Sequence, residues 1–286
     1  MGYIFSLSDG IVEENKFNNN LFLAINWNII GRCFNECLYC YGVDIRYFTD
    51  PSKTVINSII KGITKISPNL LILSGGEPLL VNGLPHIIQQ LLAYNFDIIL
   101  DTSAVIPLNQ IPYDILKNIH IRISIDSSDN SLNEFIRSSS VTDSTSVIKS
   151  NISYLIDNKL PMTIQTTISP YNLQNLFELG LYLSSISVRN WRLNIVIPHD
   201  DLFEKMCLSE FQKLCKVFPH MKIRISNTRE YVSSHIVLVD PIGHIYVRNS
   251  FNNDKQCIGN LITDNIKSSN IFKYIDVQEH IKRYMF

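Results

Sequence analysis

Apolar runs of strand length alternate with stretches of helical period, and that alternation restricts the fold of this chain more than any other feature. Leu21–Asn28 reads as a strand. Thr54–Ile66 sets Val55, Ile59, Ile63 and Ile66 on one helical face. Leu70–Leu73 is a short buried strand that runs into Ser74-Gly75-Gly76. The pattern continues with a helix over Leu84–Tyr94 and strands over Asp97–Thr102 and Ile121–Asp126. A helix over Val147–Asn158, a strand over Met162–Ile168, a helix over Leu176–Ser184 and a sixth strand over Trp191–Ile197 follow. Strands separated by helices form right-handed βαβ units around a parallel sheet. Six such units predict an α/β fold, a partial (β/α)6 barrel.

Three of these strands are polar on one face. Arg122, Ser124 and Asp126 oppose Ile121, Ile123 and Ile125; Thr163, Gln165 and Thr167 oppose Met162, Ile164 and Ile168. Arg192 and Asn194 likewise oppose Trp191, Leu193 and Ile195. Ordinary parallel strands are apolar on both faces. A barrel whose interior is wet or ligand-filled accounts for the difference; an antiparallel sheet with one solvated face is the alternative, and the intervening helices argue against it. Ser127–Ser146 holds eight serines and reads as a loop on the C-terminal rim, where ligands of α/β proteins bind. Beyond Met221 the pattern changes. Short strands at Lys222–Ser226 and Val237–Val239, a turn at Asp240-Pro241-Ile242-Gly243 and a return over His244–Val247 predict a hairpin. A core over residues 1–218 and a C-terminal extension over 219–286, hairpin plus helix, is the expected division.

Hydrophobic residues make up 45 % of the 286, which suits a sizeable core and excludes disorder. A net charge of −1 with no basic block gives no electrostatic reason for a nucleic-acid partner. No apolar stretch approaches the roughly 18 residues of a membrane span, and the N-terminus has no signal-peptide pattern. A cytoplasmic protein with reduced thiols is expected.

Three of the six cysteines are clustered as Cys33-Phe34-Asn35-Glu36-Cys37-Leu38-Tyr39-Cys40, directly after the first strand. Three thiolates at C-x3-C-x2-C spacing can hold three irons of a [4Fe–4S] cluster and leave the fourth open to a small chelating ligand. Zinc is the alternative, but a structural zinc site wants four ligands and no second pair is nearby. A second loop, Ser74-Gly75-Gly76-Glu77-Pro78, ends the second strand; its glycines expose backbone groups, and its place brings it to the same rim as the cysteines.

With these motifs the sequence resembles the radical S-adenosylmethionine (radical SAM) enzymes across roughly residues 20–200. The resemblance implies that Cys33, Cys37 and Cys40 ligate one [4Fe–4S] cluster whose open iron takes SAM. It implies that Gly75, Gly76, Glu77 and Pro78 form the SAM-binding turn and that Tyr39 neighbours the adenine. Thr102 ends the third strand where relatives carry a polar pair near SAM. Ser124, Asp126 and Arg137 resemble the Ser-x-Asp and downstream Arg of peptide-modifying members and are expected at SAM. Substitution of Gly76 by Val is expected to weaken SAM binding and leave the cluster in place.

The segment 240–261 resembles a degenerate SPASM/Twitch extension, in which Arg248 stands where a cysteine is expected after the second hairpin strand. Cys207, Cys215 and Cys257 are left either as ligands of a second iron–sulfur cluster or as unconnected core cysteines. The implied reaction is reductive cleavage of SAM to a 5′-deoxyadenosyl radical that abstracts a substrate hydrogen. An electron donor of the flavodoxin or ferredoxin type goes with it. A ribosomally made peptide is the expected substrate, with epimerisation or a crosslink as outcome; epimerisation needs a hydrogen donor, for which Cys207 and Cys215 are the candidates. The alternatives are cofactor or nucleotide biosynthesis on a small molecule, and a non-catalytic iron–sulfur or zinc protein.

Overall fold

The computed structural model describes residues 7–8, 11–12, 22–226, 228, 235–249 and 254–284. The chain divides into two compact units that do not follow sequence order. Within the described residues, the first unit takes in those up to Cys33, Tyr41–Asp101 and those from 235 onward. The second takes in Phe34–Cys40 and those from Thr102 to 228.

A two-residue antiparallel pair, β1 (Leu7–Ser8) and β2 (Ile11–Val12), opens the first unit. Then come β3 (Ala24–Ile30), α1 (Lys53–Ile66), β4 (Leu70–Gly75), α2 (Leu84–Leu91) and β5 (Asp97–Thr102). β3, β4 and β5 pair in parallel. α1 starts where the Ser52 hydroxyl accepts from Val55 N and buries Ile59, Ile63 and Ile66, as its spacing predicts. The second unit contributes α3 (Tyr113–Leu116), β6 (His120–Ser124), α4 (Asn130–Arg137), α5 (Ser144–Asp157), β7 (Met162–Ile168), α6 (Leu176–Ser185), β8 (Asn190–Ile195), α7 (Asp201–Val217) and β9 (Lys222–Ser226). β6 to β9 are parallel neighbours in chain order.

The alternation is real and the sheet strands are parallel, so the antiparallel alternative is excluded for β3–β5 and for β6–β9. On β6, β7 and β8 the isoleucines, Trp191 and Leu193 are fully buried, and α6 lies against them where Gly180 meets Trp191. The opposite face is polar in register: Arg122 beside Thr163; Ser124, Gln165, Arg192 and Arg224 in one row; Thr167, Asn194 and Ser226 in the next. β9 thus continues the second unit's sheet, because α7 is a full crossover helix between two parallel strands.

One expectation fails. Residues 127–146 are not a loop. Asp129 caps α4 by accepting from Leu132 N at 2.7 Å, and the helix buries Asn133, Ile136 and Arg137. Serines on either side hid a short helix whose apolar content is small.

The expected hairpin is present as β10 (His235–Val239) and β11 (His244–Asn249), with β12 (Lys255–Asn260) added antiparallel. β10 pairs in parallel with β3, which attaches these strands to the first unit's sheet. Two helices follow, α8 (Ser268–Ile271) and α9 (Val277–Tyr284). α9 packs Ile281 and Tyr284 with Phe22, Ala24, Leu70, Ile72 and Ile99. His280 fixes it in place: its Nε2 accepts from Ala24 N at 3.0 Å and its Nδ1 donates to His235 O at 2.9 Å. That pair of bonds requires the neutral imidazole. Burial above all, with the charge of Arg283, holds its pKa down at about 4.

A histidine whose folded pKa lies below its unfolded value contributes stability that is complete above about 6.5 and is lost as pH falls toward about 4. The unfolding free energy from urea titration is expected to drop over that window at up to about 1.4 kcal/mol per pH unit. His280→Gln should be less stable at neutral pH and show a shallower acid slope; equal slopes for the two proteins would remove His280 from this role.

Candidate functional site

The glycine turn is built backbone against backbone. β4 ends at Gly75, whose φ of +129° only glycine adopts without strain. Gly76 N donates to Ile30 O at 2.8 Å and Glu77 N to Arg32 O at 2.9 Å. A Cβ at Gly75 would fall on Ile30 O, and one at Gly76 on Arg32 O, both far inside van der Waals contact. The turn is therefore held against the segment that leads into Cys33. Pro78 opens a 3₁₀ turn, Pro78–Leu80, and Glu77 caps it, with Oε1 accepting from Leu79 N at 3.1 Å. Glu77 is fully buried.

The cysteine loop from Phe34 to Leu38 is sutured to the end of α4 and the residues after it. Ser140 N donates to Phe34 O at 2.9 Å, Glu36 N to Ser138 O at 2.9 Å and Leu38 N to Ile136 O at 3.0 Å. Cys40 N returns to Cys37 O at 3.1 Å and tightens the loop. None of the six cysteines forms a disulfide, and Cys33, Cys37 and Cys40 are all half-buried.

Tyr39, Asp126 and Arg137, each expected at the site, are brought together. The Tyr39 hydroxyl donates to Asp126 Oδ2, and Arg137 Nη1 donates to Tyr39 Oη at 2.9 Å and to Asp126 Oδ2 at 3.1 Å. Asp126 Oδ1 accepts from Thr167 N at 2.8 Å. Its backbone N donates to Asn133 Oδ1 at 2.9 Å, and its carbonyl accepts from Asn172 Nδ2 at 3.0 Å. The Asp126 side chain is 0 % exposed and that of Arg137 8 %.

Burial pushes the Tyr39 hydroxyl well above its ordinary value; Arg137 opposes this, and Asp126 and Cys37 add to it. Burial works against the charge on Arg137, yet Tyr39, Cys37 and Asp126 more than offset it and hold the guanidinium protonated.

Thr102 is buried, and its Oγ1 accepts from Ala104 N at 2.9 Å. Ser124 ends β6 in register with Gln165. Cys207 is fully buried on α7; burial first, then Glu204, pushes its thiol up to about 12. Cys215 lies two turns along the same helix and is half-buried, and Cys257 is exposed on β12 with its Sγ against Gly259 O at 3.6 Å. Among the described residues, no three His, Cys, Asp or Glu side chains converge on one point. That describes a mononuclear ion cage; a cuboidal cluster takes each thiolate on a different iron, so its ligands stand apart. Three undisulfided thiols on a braced loop, with a fixed cation beside Cys37, fit such a cluster.

Asn133, Asn172 and the backbone of 136–140 are site-building residues that sequence reasoning missed; Thr167, read from alternation as a polar-face residue, serves through its backbone amide. Arg137 was the one signal in that segment, and its helical position was not legible.

The family described as Radical SAM superfamily matches residues 27–179, more than half of the chain, and the chain belongs to it. It is an enzyme of the radical SAM class. No curated protein matches it in sequence. Its fold is similar to that of native anSMEcpe with bound AdoMet, with a TM-score of 0.71 at 12 % identity over 92 % of this chain and 82 % of that one. The same protein with AdoMet and the Cp18Cys peptide gives 0.69 at 13 % identity, again over 92 % and 82 %. SuiB of Streptococcus suis bound to the precursor peptide SuiA gives 0.68 at 12 % identity over 92 % and 68 %. At identities this low the likeness is one of fold, and that fold is a partial β/α barrel with extra C-terminal strands.

Two outcomes test this geometry. Asp126→Asn leaves the Arg137 guanidinium buried without its carboxylate and should cost about 3–5 kcal/mol in urea unfolding. Adding Arg137→Met should recover part of that loss; strict additivity would show that the pair is not coupled. Gly76→Val should disturb the backbone next to Cys33 as well as the turn, so iron content after anaerobic reconstitution should fall. This reverses the expectation that the variant spares the cluster, because the added Cβ strikes Arg32 O and not open space.

Proposed function

We propose that this enzyme cleaves S-adenosylmethionine reductively and abstracts a hydrogen from a ribosomally synthesised peptide. The observation that carries the reading is the bonded set of Tyr39, Asp126 and Arg137. It ties the cysteine loop to the Ser-x-Asp strand end and to the downstream arginine, the pattern of peptide-modifying members. Solved proteins of similar fold whose descriptions include a bound peptide support the same substrate class.

In this reading Cys33, Cys37 and Cys40 ligate one [4Fe–4S] cluster. Reduced by a flavodoxin or ferredoxin, such a cluster would supply the electron for reductive cleavage of SAM to methionine and a 5′-deoxyadenosyl radical. Gly75 and Gly76 offer backbone groups to the methionine moiety, and the Glu77 and Pro78 turn fixes their direction. Thr102 and Ser124 serve SAM as polar neighbours. Tyr39 presents its ring, not its hydroxyl, because the hydroxyl is committed to Asp126. Asp126 and Arg137 act by holding Tyr39 and the loop. Polar strand faces orient the peptide, and the fully buried apolar faces exclude water behind them.

A crosslink is the favoured outcome over epimerisation. A second hydrogen donor must reach the substrate, and Cys207 is fully buried on α7 with Cys215 on the same helix. A crosslink needs no such donor, but joining the substrate radical to a second group releases a proton and one electron, which the oxidised cluster would have to take up.

Reconstituted wild type is expected to hold about four irons per chain and, with dithionite and SAM, to release 5′-deoxyadenosine. Cys33→Ala, Cys37→Ala and Cys40→Ala should each lose the charge-transfer absorbance and the release. About four irons retained in the triple variant would overturn the cluster assignment, and methylthioadenosine as the only product would overturn the chemistry.

A further inference from the structure

His244, Tyr246 and Arg248 share one face of β11 as half-buried residues, while Ile245 and Val247 are buried on the other. Arg248 is the one whose bonding is incomplete. Its Nε is buried and has no hydrogen-bond acceptor. Among the described residues its guanidinium meets no carboxylate or carbonyl. It stacks on Tyr41 instead, 4.8 Å from the ring centroid. Tyr41 is itself 57 % exposed, so the stack is reached from outside. Burial pulls the Arg248 pKa below its ordinary value against the influence of Tyr41, Asp44 and Tyr284, but an arginine keeps its proton in a folded protein. A cation with one unmet N–H therefore stands beside an open aromatic ring.

Among the described residues, two carboxylates bond to side chains of β11 and β12, and neither is left for Arg248. Lys255 lies opposite Arg248 in the β11–β12 register and takes Asp44. Asp240 accepts from Ile242 N at 3.0 Å and His244 N at 2.9 Å through Oδ1. Its Oδ2 accepts from His244 Nδ1 at 3.0 Å and from the Tyr246 hydroxyl at 3.2 Å. A buried donor without an acceptor is costly, and such groups nearly always find a partner. Here the fold supplies none, so the acceptor comes from outside the chain. A guanidinium is a planar fork of donors that fits a carboxylate through two parallel bonds. With Tyr41 over its face, the fork is left free at its edge, in the plane where a carboxylate binds. The ring beside that edge is apolar and suits a short methylene stem.

We propose that Arg248, with the Tyr41 ring as its side wall, is a subsite for a carboxylate on a short apolar stem, the side chain of a glutamyl or aspartyl residue of the substrate peptide. The inference rests on the peptide reading above and narrows it to a peptide with an acidic residue.

Isothermal titration of the reconstituted full chain tests it with three probes: Ac-Gly-Glu-Gly-NH2, Ac-Gly-Gln-Gly-NH2 and inorganic phosphate. The glutamyl peptide is expected to bind roughly tenfold more tightly than the glutaminyl one, and the difference should shrink as salt rises. Arg248→Gln should abolish the preference. Arg248→Lys keeps the charge without the fork and should retain only part of it; circular dichroism checks that each variant is folded. If Arg248→Gln does not fold, Arg248→Lys decides: an undiminished preference there overturns Arg248 as the binding group. An undiminished preference in a folded Arg248→Gln does the same. Equal binding of the two peptides to the wild type overturns the subsite and leaves the peptide reading standing. Binding of neither peptide, with or without binding of phosphate, overturns both.

Discussion

The buried carboxylate of Asp126 is the interaction on which the second unit's candidate site residues depend. It takes Tyr39 from the cysteine loop, Arg137 from α4 and the backbone of Thr167 from β7, while its own backbone is held by Asn133 and Asn172. Removing two charges from water costs more than their attraction returns unless every remaining lone pair and proton is satisfied. Here the carboxylate is met by groups from several different elements, while Arg137 Nη1 is met and its buried Nε is not. The consequence is positional: the loop that carries Cys37 and Cys40 can take only the path that lets Tyr39 reach a fixed strand end.

The first unit meets the same requirement with no charge at all. Gly75 and Gly76 let the backbone after β4 lie on the backbone after β3, so that the amides of Gly76 and Glu77 bond to Ile30 and Arg32. Glycine at this turn is commonly read as access for a ligand. In this protein the first use of both glycines is close approach of two loops, and any contact with SAM is added to that. Glu77 shows the same economy, because a carboxylate sealed in the interior is spent on capping its own turn.

Arg248 gives the C-terminal strands a structural role. It stacks on Tyr41 with its guanidinium 4.8 Å from the ring centroid, and Lys255 reaches Asp44. β11 and β12 thus brace the chain that follows Cys40 through a cation–π contact and an ion pair. The hairpin persists because β10 extends the parallel sheet at β3, a structural use that needs no cluster.

Periodicity and spacing by themselves determined the order of the main strands and helices, the parallel strands and the polar faces of β6–β8, and they single out Cys33, Cys37 and Cys40 as the proposed metal ligands. Those are local properties: alternation of side chains, helical spacing and the reach of three thiols on one loop. Asp97–Thr102 and Met162–Ile168 were legible to the residue because buried strands are bounded sharply by polar turns. The helix at Asn130–Arg137 was not, because a short helix held mainly by a cap and by side chains from other elements has little periodicity of its own. Arg137 and Asp126 were legible as candidates, but not their bond to Tyr39, which joins residues about a hundred positions apart. The same holds for His280, whose two bonds reach Ala24 and His235. Only the folded chain decides which distant polar groups share a low-dielectric interior, and there each must find a partner because water no longer supplies one.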